Sequence, residues 1–394
     1  MSRAHFFTDP AYANTRSLIA AISCAAVCGT VFGLSMPLIS LRLEEMTGSG
    51  VVVGLNGAVA AISTLIMAPI VPRMMGLLPA RQLLAISLVS AALLFALMPA
   101  FPAVAPWFGL RFIIGCFMTV VFVISESWIN QVVSPERRAL MLGVYGTALS
   151  GGFGLGGLLF SALHGAGDAA FYLGAVIFAC GALPVLFLRG PDATAPDAHA
   201  ASFDSMLRAI RSAPTAIMAA LAFGAIETLV FSMMPVYGER IGLTHSTIGM
   251  MIVAVALGAI VFQIPLGWVA DKTNRRLTLL WVAVLATLGP LLTGLAGANV
   301  PALLVVLFFQ SGVVGGLYTI GLSLLGERFT GGAMAAANAA FIFAYGLGSF
   351  GGPPVAGVAM DTTGPWGLLW VLSAISAVYV LIVLLRTAVT GRKS

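Results

Sequence analysis

Three ionisable side chains, Arg111, Glu126 and Glu227, lie inside long apolar stretches of this sequence. A charge in such surroundings persists when it faces a partner, an aqueous recess or a solute, so each is a candidate for binding or proton transfer. Glu227 is the sharpest case. Its helical neighbours at i±3 and i±4 are Phe223, Gly224, Val230 and Phe231, none of them cationic. Burial disfavours a carboxylate's charged form, so this group should take up and release a proton as its surroundings dry and wet. Arg111, Gly115, Thr119, Phe122, Glu126 and Asn130 follow one another at steps of 4, 4, 3, 4 and 4. That spacing draws one polar stripe along a helix, which should face a cavity. Arg111 and Glu126 would lie about 22 Å apart along the axis, too far for a direct ion pair. Gln263, Gln310, Tyr318, Asn338 and Tyr345 complete the candidate set for a substrate cavity, with Asn338, Tyr345 and Ser349 at i, i+7 and i+11 on one face. The four histidines sit outside mid-span positions, and Cys24, Cys28, Cys116 and Cys180 lie in apolar segments with no metal-ligand spacing. No metal or other cofactor is expected.

The elements that carry these groups follow from composition. The chain has 394 residues, 60% hydrophobic and 8% charged. So little charge excludes a soluble fold and indicates a polytopic membrane protein. Apolar spans fall at about 17–41, 50–71, 82–101, 103–130, 139–163, 169–188, 214–238, 247–270, 277–297, 300–326, 334–360 and 365–387. That makes twelve, each near or above the roughly 20 residues needed to cross a bilayer. Of the 19 Lys and Arg residues, sixteen fall in segments on one side, Arg42 and Arg240 on the other, and Arg111 within a span. The bias predicts that both termini are cytoplasmic, in a plasma or inner membrane, and it explains the basic balance without nucleic acid. Met1–Arg16 is polar and lacks a signal-peptide core, so the first span is read as a retained helix.

The segment 189–213 departs in composition, with Pro191, Pro196, Asp192, Asp197 and Asp204. It reads as a cytoplasmic linker, with a short amphipathic helix around 203–210, between a bundle at 1–188 and a bundle at 214–394. The bundles repeat. Met36-Pro37-x4-Arg42 recurs as Met234-Pro235-x4-Arg240, and Tyr145-Gly146-x4-Gly151-Gly152 recurs as Tyr345-Gly346-x4-Gly351-Gly352. Nearly equal offsets at matching spans argue for a duplication of six helices in parallel orientation.

Between spans 8 and 9 stands Gly267-Trp-Val-Ala-Asp271-Lys272-Thr-Asn-Arg275-Arg276. Charges this dense belong at a membrane face, where Gly267 would permit close helix approach and Asp271 would pair with a nearby cation or helix end. The stretch resembles the G-x-x-x-D-[RK]-x-G-[RK]-[RK] signature of the major facilitator superfamily, with Asn274 in place of the later glycine. The corresponding loop between spans 2 and 3 places Arg73 where the signature has its aspartate. Arg111 and Gly115 resemble the family's fourth-helix R-x-x-x-G. Glu126-Ser127-Trp128, Gly316-Leu317-Tyr318 and the glycine-rich eleventh span are similar to a subgroup of small bacterial permeases with unassigned substrates.

The resemblance implies an all-α membrane fold of twelve helices in two pseudo-symmetric six-helix bundles, acting as a monomer in the bilayer, with a central cavity opening alternately to each side. It implies a secondary transporter for a small organic solute, which the acidic span residues suggest is coupled to protons; two acids and one arginine in the expected cavity permit either a cation or a zwitterion. In that reading Gly267, Asp271, Lys272, Arg275 and Arg276 gate the cytoplasmic side. A passive facilitator, or a polytopic membrane enzyme or scaffold, is the alternative. Against an enzyme, the spans hold no nucleophile–base spacing, metal motif or P-loop.

Overall fold

The structure is a computed structural model that describes residues 10–163, 165–188, 190–194, 203–329 and 331–391. Within these it is helical, in the order α1 (Pro10–Thr47), α2 (Gly50–Met67), α3 (Val71–Met75), α4 (Ala80–Leu97), α5 (Val104–Val132), α6 (Pro135–Ala162), α7 (Ala169–Phe187), α8 (Phe203–Ser212), α9 (Pro214–Ser232), α10 (Met234–Arg240), α11 (His245–Lys272), α12 (Arg275–Ala296), α13 (Val300–Gly326), α14 (Gly331–Thr363) and α15 (Trp366–Gly391). Eleven described helices are long and apolar enough to cross a membrane. The remaining expected span corresponds to the 33 residues of α14. Of the expected linker, 190–194 and the helix α8 are described; 189 and 195–202 lie outside the described residues, as do His5, His164 and His199.

The seventh expected span differs from the uninterrupted helix read in the sequence. It breaks at Met233 into α9 and α10. Pro235 has no N–H to give and its ring crowds the carbonyl four residues earlier, so the helix restarts with the proline in its first turn. The matching Pro37 lies within an unbroken α1, so the duplicated motif has two backbone outcomes.

By contacts the chain divides into unit 1, Met1–Ser35 with Ile62–Asp197, and unit 2, Met36–Ala61 with Ala198–Ser394. This cut differs from the sequence halves because the end of α1 and most of α2 pack with the second half. In unit 1, α1 and α6 cross at glycines: a Cβ at Gly29 would overlap the carbonyl oxygen of Leu149, and one at Gly152 that of Ala26. In unit 2, α9 and α14 cross likewise. A Cβ at Gly224 would overlap the carbonyl oxygen of Tyr345, and one at Gly348 that of Leu221. Helices in lipid gain no hydrophobic drive from touching, so close backbone approach at small residues supplies the packing. The same crossing in both units is the duplication seen in three dimensions.

Unit 1 also explains the Glu-Ser-Trp triplet. The Arg81 guanidinium donates to the carbonyls of Val185, Leu188 and Gly190 at 3.0, 2.6 and 3.1 Å. It lies 4.8 Å from the Trp128 ring centroid. Trp128 Nε1 donates to Pro191 O at 2.9 Å, as does the Ser17 hydroxyl at 2.8 Å. Gln131 then brackets Thr194, donating to its carbonyl and accepting from its N–H. Trp128 is thus part of a strap that holds the start of the linker. Replacing Arg81 with alanine removes its charge-assisted bonds and leaves three carbonyls short of a donor. Hydrogen-exchange protection across 190–194 is expected to fall roughly tenfold or more. Unchanged protection would show that the strap is held otherwise.

Candidate functional site

Glu227 stands thirteen residues into α9 and is partly exposed. Tyr345 of α14 donates its hydroxyl hydrogen to Glu227 Oε2 at 2.6 Å. A short bond of this kind between hydroxyl and carboxylate is charge-assisted. Rings surround the pair. Phe223, one turn before Glu227, has its centroid 5.3 Å from Tyr318 and 6.0 Å from Tyr345. Tyr318 in turn packs edge-on against the buried Phe341 at 5.2 Å. The Gly224 crossing sets this geometry: close approach of α9 and α14 brings Tyr345 within reach of a carboxylate 118 positions earlier. Ser349 Oγ reinforces the crossing by donating to Gly224 O at 3.1 Å.

The other expected cavity residues are distributed differently. Tyr318, Tyr345 and Glu227 come together. Asn338 is two turns before Tyr345, half-buried, and its Oδ1 has no hydrogen-bond partner among the described residues. Gln310 is buried between α12 and α13, where it accepts from Thr293 at 3.0 Å, so its amide ties two helices. Gln263 is exposed on α11. In unit 1 the predicted stripe on α5 is not uniformly open. Arg111 and Thr119 are buried, whereas Glu126 and Asn130 are exposed. Thr119 shares a 3.1 Å hydrogen bond with Thr64 and donates to Gly115 O, tying α2 to α5. Beside Glu126, the Ser125 and Tyr145 hydroxyls meet at 3.0 Å. Tyr145 and Tyr345, equivalent in the repeat, therefore hold different partners: a serine hydroxyl in one unit and a carboxylate in the other.

At the loop motif, the side chain of Asp271 lies outside those described. Lys272 Nζ sits 4.0 Å from the Trp268 ring centroid, and Arg275 pairs with Glu327 at 2.8 Å. Arg276 is partly exposed in the first turn of α12. Asn274, the departure from the glycine of the signature, is the N-cap of that helix. Its Oδ1 accepts from the N–H groups of Arg276 and Leu277. Gly267 does not make the close approach expected of it: a Cβ there would meet nothing within 4 Å among the described residues.

A second polar constellation, not read from the sequence, occupies the opposite end of unit 2. Arg240 Nε donates to Glu44 at 2.7 Å, Nη1 to Met360 O at 2.9 Å and Nη2 to Asp361 at 2.9 Å. Asp361 also accepts from the N–H groups of Gly50 and Val51, at 2.7 and 3.0 Å, and from the Ser49 hydroxyl at 2.9 Å. A carboxylate on α14 thereby caps the N-terminus of α2, where helix-end amides favour an anion. Burial alone would raise the Asp361 pKa, but the donors from Arg240, Val51, Gly50 and Ser49 outweigh it and hold it below the ordinary aspartate value. Close backbone packing continues the contact, since a Cβ at Gly54 would overlap Pro353 O. Acidic residues at span ends, Glu44 and Asp361, were the available signal in the sequence. Their meeting across more than 300 positions was not legible there.

The sequence matches the Major Facilitator Superfamily profile over residues 21–245 and 217–394. It is 27% identical over 394 residues to the uncharacterized MFS-type transporter YfkF of Bacillus subtilis, covering 98% of this chain and 96% of that relative. It is 28% identical over 283 residues to the uncharacterized MFS-type transporter YcaD of Salmonella enteritidis, covering 72% of each. Among solved structures, a bacterial homolog of the human lysosomal transporter Spinster, in an inward-facing and unoccupied conformation, superposes with a TM-score of 0.71 at 13% identity. It covers 94% of this chain and 95% of its own. The nucleoside transporter NupG superposes with a TM-score of 0.72 at 14% identity, covering 95% and 98%. At those identities the likeness speaks to the fold alone. Profile, relatives and fold agree, and the chain belongs to the Major Facilitator Superfamily as a multi-pass membrane transporter.

Proposed function

We infer that this protein is a proton-coupled secondary transporter of a small organic solute, working by alternating access in a plasma or inner membrane with both termini cytoplasmic. The observation that carries the reading is the Glu227–Tyr345 pair, a partly exposed carboxylate well inside a membrane helix with a hydroxyl donor on one oxygen. Such a group exchanges a proton as access to water changes from one side to the other. Family membership favours transport over catalysis, and Glu126 is the second carboxylate available to the cycle. The Gly267–Arg276 loop is assigned to gating at the cytoplasmic face.

Glu227→Gln keeps the shape and hydrogen bonding of the protonated acid but cannot give up a proton. In liposomes this variant is expected to retain solute counterflow while losing accumulation driven by an imposed pH gradient. If the variant still accumulates solute in response to the gradient, Glu227 is not the coupling group. Gradient-insensitive counterflow in the parent protein as well would make it a passive facilitator.

A further inference from the structure

We propose that α8 is a binding surface for anionic phospholipids, with Arg208 and Arg211 on the headgroup and an apolar edge of the helix against the acyl boundary. This surface is formed by another helix than the Glu227 cluster, and its occupancy does not depend on which solute is carried. The helix reads Phe-Asp-Ser-Met-Leu-Arg-Ala-Ile-Arg-Ser. At about 3.6 residues per turn, Phe203, Met206, Leu207 and Ile210 share one side, and Asp204, Arg208 and Arg211 fall beside it. Protein does not cover that apolar side completely. Ala209 is buried, as is Ala213 just beyond the helix, whereas Met206, Leu207 and Ile210 are partly exposed. α8 packs chiefly against α14. Burial is deepest on the alanine edge. The leucine edge, with Arg211 one turn beyond Leu207 and Arg208 next to it, is left partly open.

Depth and charge identify the occupant. The backbone leaves helical geometry at Ala213, with φ −126° and ψ 53°, so α8 is not a continuation of the membrane helix α9 that starts at Pro214. Arg328, two residues past the end of α13, donates Nη1 to Ser212 O. The last turn of α8 is thereby held level with the ends of two membrane helices, where phospholipid headgroups lie. Arg208 and Arg211 are exposed there, and neither guanidinium pairs with a carboxylate among the described residues. Glu327, beside Arg328, is taken by Arg275 at 2.8 Å, and the Asp204 side chain lies outside those described. Two cations beside an open apolar edge are the pattern of a helix lying at an anionic membrane surface. A face turned only to water gains nothing from exposing Leu207 and Ile210. An acidic soluble protein would have to displace the headgroups already at that level.

The test titrates the purified full-length protein, in a non-ionic detergent, with short-chain phosphatidylglycerol, with phosphatidylcholine of the same chains and with inorganic phosphate. Binding is measured calorimetrically. Phosphatidylglycerol should bind more tightly than either of the others, and more weakly as salt is raised. Arg208→Gln combined with Arg211→Gln should cost about thirtyfold in that affinity, from about fivefold for each basic residue at a membrane surface. Lysine at both positions should restore most of it, because the headgroup responds to charge, and this pair keeps the test open should the glutamine pair fail to fold. Leu207→Ser should weaken phosphatidylglycerol several-fold, through the lost apolar contact. Arg73→Gln combined with Arg137→Gln removes two exposed arginines from unit 1 and should leave binding as in the parent. Equal affinity for phosphatidylcholine overturns the charge recognition. Equal affinity for inorganic phosphate makes this a free-anion site and overturns the lipid. No binding of phosphatidylglycerol, binding indifferent to the glutamine pair at 208 and 211, or an equal loss from the pair at 73 and 137 overturns the assignment to α8.

Discussion

Replacing Arg240 with alanine is expected to release the end of α1 and the start of α2 from α10 and α14. Three guanidinium bonds, two of them to carboxylates, are lost together, leaving Glu44 and Asp361 without their shared cation. The side chains are 13–26% exposed, so solvent screening is partial. A loss of about 2 kcal/mol is reasonable for such a bridge, about thirtyfold in an equilibrium between clasped and open arrangements. Spin labels at the exposed Glu45 and Thr362 report it directly. The variant should show longer and broader distances than the parent, and identical distributions would show that backbone packing at Gly54 holds this end alone. The pH dependence has a definite sign. With Asp361 held below the ordinary aspartate value, its contribution is complete above that value and disappears as the pH falls through the lowered one. Neutral and mildly acidic solutions should leave the clasp shut. Arg42, its counterpart in the repeat, pairs with Glu45 one turn along the same helix at 3.3 Å.

The second large effect is expected at Gly348. A Cβ there would overlap the backbone oxygen of Leu221 and lie 2.9 Å from Ala225 N. Backbone atoms cannot swing aside as a flexible side chain would, so α9 and α14 would have to separate along the crossing that positions Glu227 against Tyr345. Gly348→Val should lower stability by about 3 kcal/mol or more, or prevent the unit from folding. Thermal melts in detergent read the loss. Gly351→Ala, on the same helix and with nothing among the described residues within 4 Å of the added carbon, should melt like the parent. If Gly348→Val melts like the parent too, the helices are not held by this approach.

The contrast between these residues shows what the sequence can reveal. Spans and duplication were legible because they depend on local composition and fixed spacing. The break at Met233 was not, since the same Met-Pro pair is accommodated within α1. Asn274 read as a departure from a signature, whereas its side chain does the work of a helix cap. Trp128 read as part of a family triplet, but its meaning came from Arg81 and Pro191, which the fold brings to it from two other segments. Gln310 illustrates the reverse limit. A polar residue in a membrane span can be spent on a neighbouring helix, here through Thr293, and spacing alone does not distinguish that from a cavity position.

In the transport cycle we propose, the exchanged proton resides on Glu227. Infrared difference spectroscopy during a pH jump tests it most directly, because a protonated carboxyl has a carbonyl stretch that the carboxylate lacks. The parent protein should show such a band disappear as the pH rises. The band should be absent from Glu227→Gln and preserved in Glu126→Gln. A band that persists unchanged in Glu227→Gln would contradict the account and move the exchangeable proton elsewhere.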